Sequence, residues 1–228
     1  MDPGTCEVWW ASTGWLRPWH ADILSDDERA RRAGLWDAAH RAQYTVAAAL
    51  LRLVAAPLTG GSASSVVVDR TCPSCGRHHG RPRLPGTGLH VSISHSGTTV
   101  AVAVSSAGEV GVDVQQVEDG SVQELGPLVL AEAEAGHVAA PRDFFTYWAR
   151  KEALVKATGD GVTVPLPQVV VSPPGTPPRV LGYPRQGGLA AQLSDLGPEL
   201  GYVGALAVLS PRPVVVRERS AEQLLAAQ

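Results

Sequence analysis

An α+β fold in two halves is what this sequence predicts, and three observations predict it. Two long helical stretches, residues 37–55 and 144–159, fall one in each half of the chain. Around each lie short alternating or continuously apolar runs bounded by Gly, Pro, Ser and Asp, which is the chemistry of antiparallel strands. Nowhere do strand and helix signals alternate in the way that builds a parallel sheet. With 228 residues, the chain can bury one larger core or two of roughly 100 residues each.

Composition removes several classes of function. The formal charge of −3 excludes a generally basic nucleic-acid binder. No apolar run is expected to reach the roughly 20 residues of a membrane span, and the opening MDPGTCEVWW lacks a basic segment followed by a long apolar one. Three cysteines, an odd number, do not make a disulfide framework and fit a reducing compartment. The expectation is a soluble, cytoplasmic protein without a nucleic-acid or membrane partner.

Residues 7–12 read as a first strand. Ser25 followed by Glu28 is a capping-box pattern that starts a helix at Asp26. Residues 37–55 are rich in Ala and Leu, strong helix formers, and the helix is expected to end before Pro57 and the Gly60-Gly61 pair. His40 and Arg41 sit in its first turns, where a basic side chain is usually solvated. Residues 66–69 form a further strand. The segment TCPSCGRHHGRPRLPG follows, with Cys72, Cys75, His78 and His79, residue types that suit zinc. A closed site needs four ligands, adjacent histidines seldom reach one ion together, and Cys6 is far away in sequence. A tight turn bounded by Gly and Pro is therefore the preferred expectation.

Residues 90–105 alternate, turn and run apolar again, a hairpin pattern that would set Ser94, His95 and Ser96 at its tip. Those groups either bind phosphate oxygens or satisfy the turn, and the residues alone do not choose. In residues 111–115, alternation sends Val112 and Val114 to one face and Asp113 and Gln115 to the other, roughly 7 Å apart along the strand. Aspartate is disfavoured in strands, so something is expected to use it. Residues 118–142 are polar and then amphipathic. Beyond Gly161, strands at 169–172, 179–181, 189–193 and 202–209 suggest an antiparallel meander. A tail from Pro211, with a valine run and a short helix capped by Ser220, is expected to pack on the outside.

The second long helix carries the strongest signal. With Asp143 at its mouth and Gly159 as its stop, successive residues turn about 100° apart. Phe144, Val155, Trp148 and Phe145 form one apolar stripe, and Glu152 falls inside it, where a surface helix should carry carbon. Spacing alone would make Glu152 and Lys156 an exposed pair contributing a few tenths of a kcal/mol. A carboxylate facing a core, however, stays charged only when a cation, a metal or several donors meet it. The chain also has seventeen Arg and two Lys, and both lysines, Lys151 and Lys156, are in this helix. Retaining the compact ammonium at those two places points to function.

Together these residues resemble the surfactin-synthetase-activating type of 4′-phosphopantetheinyl transferases. The likeness rests on four pieces in order: Gly80-Arg81-Pro82, Ser94-His95-Ser96, Gly111-Val112-Asp113-Val114, and Trp148-x-x-Lys151-Glu152-Ala153-x-x-Lys156. Ala39-His40-Arg41 adds a fifth. The resemblance implies a pseudo-dimer of two similar α+β subdomains, residues 1–105 and 106–228, each a small mainly antiparallel sheet packed with a long helix, with coenzyme A bound in the cleft between them. It implies transfer of the phosphopantetheine arm to a serine of an acyl or peptidyl carrier protein by a monomer, releasing adenosine 3′,5′-bisphosphate.

Residue by residue, the resemblance places Mg²⁺, with Mn²⁺ able to substitute, on Asp113 and Glu152. It assigns deprotonation of the serine to Glu152 or a water beside it, and puts Lys151 and Lys156 at the diphosphate. Arg41, Arg81, Ser94 and His95 would bind the nucleotide end, with Arg41 and His95 at the 3′-phosphate. Gln115 stands where many members carry a second acid, and is a candidate metal ligand through its amide oxygen. Charge agrees with such a site: two carboxylates about 4 Å apart repel by roughly 4 kcal/mol at an effective dielectric of 20. A hard divalent ion shared with substrate phosphates removes that cost. The alternative is a non-catalytic, zinc-stabilised nucleotide- or protein-binding module organised on residues 72–79. A degenerate relative that only binds carrier proteins is a third reading, against which the intact Asp113, Glu152, Lys151 and Lys156 set argues.

Overall fold

The computed structural model describes residues 1–72, 75–184 and 189–227. The first half opens with β1 (Thr5–Ser12). Helix α1 (Asp26–Ala33) begins where its capping box places it: the Ser25 hydroxyl accepts from the Glu28 amide, and the Glu28 carboxylate accepts from the Ser25 amide. The same carboxylate accepts from Arg52 Nε at 2.6 Å, so the cap is tied to the next helix by an almost dry ion pair. That helix, α2 (Ala38–Thr59), starts on the Asp37 carboxylate, which accepts from the His40 amide at 2.8 Å. It runs through Pro57, past the expected end, because only one turn remains there for the missing N–H to disturb. Gly60, at φ +74°, stops it in the left-handed conformation.

Strands β2 (Asp69–Thr71) and β3 (His78–Arg83) form a two-stranded hairpin of their own. The expected turn is present between the strands, at Cys72 and residues 75–77, but residues 78–83 of the same segment are strand, and residues 73 and 74 lie outside the described residues. Strands β4 (His90–Ser96) and β5 (Thr99–Ser105) pair antiparallel. Their turn is Gly97-Thr98, so Ser94 and His95 are strand residues, not the tip. Gly97 is required there: its φ is +53°, and a Cβ would fall 2.3 Å from Gln116 Oε1.

The second half contains β6 (Val110–Gln116), α3 (Ser121–Val129), α4 (Glu132–Ala135), α5 (Pro141–Thr158), β7 (Val170–Val171), β8 (Val180–Gly182), β9 (Ala191–Leu196) and β10 (Tyr202–Leu209), followed by β11 (Val215–Ser220) and α6 (Glu222–Ala226). Its three-stranded sheet has the order β6-β10-β9, and β7-β8 is a small separate pair. Helix α5 ends on Gly159 at φ +77°, as expected. The α+β class is therefore observed, with one long helix laid on a mainly antiparallel sheet in each half. Helix α2 packs Val46, Leu50, Leu51 and Val54 against Val91, Val100, Val102 and Val104. Contrary to the sequence expectation, α2 is long and apolar enough to cross a membrane, with a mean hydropathy of 1.2. Here 67% of that apolar window is buried inside the fold.

The tail does not pack on the outside. Strand β11 joins the first half's sheet, order β11-β1-β5-β4, and runs parallel to β1. Ala221 and Leu225 are fully buried in that half's core, and His20 Nε2 meets the Leu225 carbonyl at 3.1 Å. The expected boundary at residue 105 follows chain order, whereas the sheet on the N-terminal side is completed by residues 215–220.

The halves meet at β4 and β6. Strand β6 is an edge of its sheet, and three of its amides find side chains in place of a neighbouring backbone. Val112, Val114 and Gln116 donate to the hydroxyls of Ser92, Ser94 and Ser96 at 3.0, 3.3 and 2.9 Å. Residues two apart share a strand face, so the Ser-x-Ser-x-Ser pattern delivers three acceptors in register. On its other side β6 lies under α5. A Cβ on Gly111 would sit 1.9 Å from the Ala153 carbonyl oxygen and 2.5 Å from the Ala157 nitrogen, so helix and strand approach only because residue 111 is glycine.

Candidate active site

That approach sets α5 directly over Asp113, two residues beyond Gly111. Asp113 is 2% exposed, and its carboxylate is held by three donors. Oδ1 accepts from Lys156 Nζ at 2.6 Å and from Ser94 Oγ at 2.8 Å, and Oδ2 accepts from Gln115 Nε2 at 2.7 Å. Lys156 Nζ also donates to Ser94 Oγ at 3.0 Å and to the Val112 carbonyl at 3.1 Å. The buried carboxylate is thereby met by one ammonium and two dipoles, the compensation that an interior polar group requires. Ser94 gives its one proton to Asp113 and accepts from Val114 and Lys156, so its capacity is used within the protein.

Glu152, one turn before Lys156 on α5, makes no hydrogen bond or ion pair among the described residues. Burial pushes its carboxyl above the usual range, the charge of Asp113 pushes it further, and Lys156 opposes both. An unpartnered carboxylate beside a second one is the arrangement that a hard cation would relieve. Gln115 faces the same way as Asp113, as strand alternation predicts, with its amide nitrogen turned to Asp113.

This titration has a testable consequence. Because the folded chain holds the Glu152 proton more tightly than an unfolded carboxyl of pKa 4.5 does, the stability this group contributes is complete below that value. It is lost as pH rises through the folded value. Without divalent ions, Glu152→Gln should therefore unfold at higher urea than wild type near neutral pH. The two midpoints should converge below about pH 4. Urea titrations in chelator at the two pH values check this, and a neutral-pH midpoint no higher than wild type would refute it.

The main cleft opens beside this group, between the halves, with a volume of about 910 Å³. Its walls come from β2, β3 and β4 on one side and from β6 and the end of α5 on the other, and Asp113, Gln115 and Lys156 line it. Arg81 lines it too, paired with Glu109 and donating to the Ala157 carbonyl at 3.3 Å. His95 also reaches the cleft. Loss of water around its ring pushes its pKa down, and the positive charges of Lys156 and His40 add to this.

Two expected residues stand elsewhere. Lys151 is wholly buried on the other side of α5, where its ammonium pairs with Glu134 and donates to the Val129 and Leu166 carbonyls at 2.7 and 3.2 Å. Burial pushes its pKa down, partly offset by Glu134. Its expected place beside Lys156 at the diphosphate is corrected to a structural ion pair. Arg41 donates to the Leu35 and Trp36 carbonyls at 2.7 and 2.8 Å and is absent from the cleft lining. The cationic wall is instead Arg31, Arg70 and Arg83 with Tyr44, none of which the sequence reading singled out. Arg70 Nε and the Tyr44 hydroxyl are buried without a partner among the described residues. Reading residues 69–83 as a hairpin would have set Arg70 and Arg83 on adjacent strands beside Arg81.

Residues 109–207 match the family model described as the 4′-phosphopantetheinyl transferase superfamily. The chain is 29% identical over 199 residues to a Nostoc protein named 4′-phosphopantetheinyl transferase HetI, covering 82% of this chain and 79% of that one. It is 29% identical over 96 residues to a 4′-phosphopantetheinyl transferase of Bacillus subtilis, 40% of this chain and 42% of that one. Over 88 residues it is 35% identical to the 4′-phosphopantetheinyl transferase AcpT of Salmonella typhi, covering 35% and 46%. These likenesses do not favour the non-catalytic, zinc-stabilised module.

Proposed function

We propose that the chain, which is similar to 4′-phosphopantetheinyl transferases, transfers the phosphopantetheine arm of coenzyme A to a carrier-protein serine, with Mg²⁺ at the diphosphate. The observation that carries this reading is the pairing of Asp113 with Lys156 at the wall of an arginine-lined cleft, with Glu152 close enough to feel both charges. The serine oxygen forms a bond to the phosphorus that bears the arm, the bond from that phosphorus to the other phosphate breaks, and adenosine 3′,5′-bisphosphate leaves. The serine proton passes to Glu152 or to a water held beside it.

A hard divalent ion fits the donors present: the Asp113 and Glu152 carboxylates, the second without a protein partner, and the Gln115 amide oxygen after rotation of that amide. When bound, it would neutralise charge on the diphosphate. Lys156 holds the same charge from the side and fixes the Asp113 carboxylate. Arg31, Arg70, Arg81 and Arg83 give the phosphates of the nucleotide end cationic partners, and the unpartnered Arg70 Nε and Tyr44 hydroxyl suit an anion there. The same reading has the chain acting as a monomer in the cytoplasm, its two halves forming the cleft.

Incubation with coenzyme A, Mg²⁺ and an apo carrier protein tests the proposal by intact-protein mass. The expected result is gain of one phosphopantetheine arm on the carrier serine, abolished by chelator and restored by Mg²⁺. No gain across carriers from fatty-acid, polyketide and peptide synthesis would overturn it.

A further inference from the structure

The β2–β3 hairpin carries a cluster that the transfer chemistry does not use. The sulfurs of Cys72 and Cys75 and a ring nitrogen of His79 all lie within 4.8 Å of one another, and Cys75 Sγ is 2.9 Å from His79 Nε2. Zinc, with bonds of about 2.3 Å to sulfur and 2.0–2.1 Å to nitrogen, sets tetrahedral donors about 3.5–3.8 Å apart. The Cys75–His79 pair at 2.9 Å has only to open by under about 1 Å to reach that spacing, and all three donors already lie within 4.8 Å. We infer that Cys72, Cys75 and His79 bind one zinc ion that clips this hairpin at the mouth of the cleft.

Backbone geometry prepares the site before metal arrives. The Cys72 carbonyl accepts from the Gly76 amide and the Cys72 amide donates to the Arg77 carbonyl, both at 2.8 Å. This turn brings the two thiols of the Cys-x-x-Cys pair to one side. Adjacent residues of a strand point to opposite faces, so His79 enters and His78 does not. Two partly or fully exposed thiols beside an imidazole are reactive when bare. Binding turns both into ligands, each thiol releasing its proton to solvent.

Three protein donors leave a fourth position, which water fills. The metal holds structure here and takes no part in bond breaking. Cys72 and His79 line the cleft, and the residues after His79 are Gly80 and Arg81. Gly80 lies so close to β2 that a Cβ would stand 3.0 Å from the Arg70 and Thr71 carbonyl oxygens. A clip at the turn end of the hairpin therefore fixes the strand that presents Arg81.

The test is metal content of untagged protein purified under reducing conditions without chelator. About one zinc per chain is expected. Cys75→Ser and His79→Gln should each lower it at least about tenfold, the lower end of what the loss of even an outer partner costs a metal site. In the wild-type chain, Co²⁺ exchanged for zinc should give a thiolate-to-metal charge-transfer band. Zinc removal should speed hydrogen exchange across residues 69–83 and leave that of α5 unchanged. Wild-type zinc no higher than in Cys75→Ser, bound Co²⁺ without the thiolate band, or a Cys72–Cys75 disulfide would each overturn the assignment. None of these readouts depends on transferase activity.

Discussion

Asp113→Ala should lower carrier-protein modification by about 10²–10³-fold or more, with the fold retained. The carboxylate is the common acceptor of Lys156, Ser94 and Gln115, so its loss removes the anion that would hold a divalent ion and frees the lysine from its position. Lys156 is 30% exposed, and its ammonium can be rehydrated, which is why the chain should still fold. Glu152→Ala should lose a similar factor, because it removes a carboxylate that would hold the divalent ion and also the proposed base. Initial rates of arm transfer by mass, with circular dichroism as the control for folding, decide the matter. A folded Asp113→Ala that kept a tenth of wild-type turnover would exclude the site as described.

The two lysines should behave in opposite ways. Lys151→Ala leaves the Glu134 carboxylate, 3% exposed, without its cation, and breaking such a pair costs about 3–5 kcal/mol. Glu134 also accepts from the Ala131 amide at 2.8 Å and the Val171 amide at 3.0 Å, so α4, α5 and β7 loosen together. Lys156→Ala should cost less stability than Lys151→Ala, because Asp113 keeps its Ser94 and Gln115 donors and lines the cleft, where water can take the place of the ammonium, and it should remove activity. The double variant Lys151→Met with Glu134→Gln should recover much of the lost stability, because neither charge is then stranded. Equal stability loss in Lys151→Ala and Lys156→Ala would contradict the separation.

Much of the site is legible along the chain because it departs from local rules. An aspartate in a strand, a glutamate in an apolar stripe and lysines confined to one helix are each out of place, and Asp113, Glu152 and Lys156 are the residues brought together. Lys151 misleads because residue type and helix are the same while the direction differs. Five residues put it about 140° around the axis from Lys156, facing Glu134. The serines of β4 are visible as a polar face, but alternation tells which side is polar and never what meets it. Arg70 and Arg83 are hidden because Gly and Pro in residues 71–86 read as turn, although Gly80 is there for close strand approach. The place of β11 has no local signal at all, since its partner is at the other end of the chain.

That last pairing bears on how the protein comes off the ribosome. Strand β1 can meet β5 once residue 105 is made, but its other edge waits for residues 215–220. At 5–20 residues per second, the interval between completing β1 and completing β11 lasts roughly 10–40 s. Throughout that interval Thr5–Ser12, containing Val8, Trp9 and Trp10, is an unpaired apolar edge of the kind that recruits other chains. Stalled or prematurely ended translation products should therefore be the species that aggregate and occupy chaperones, whereas the finished chain has covered this edge with the charged strand VVRERS.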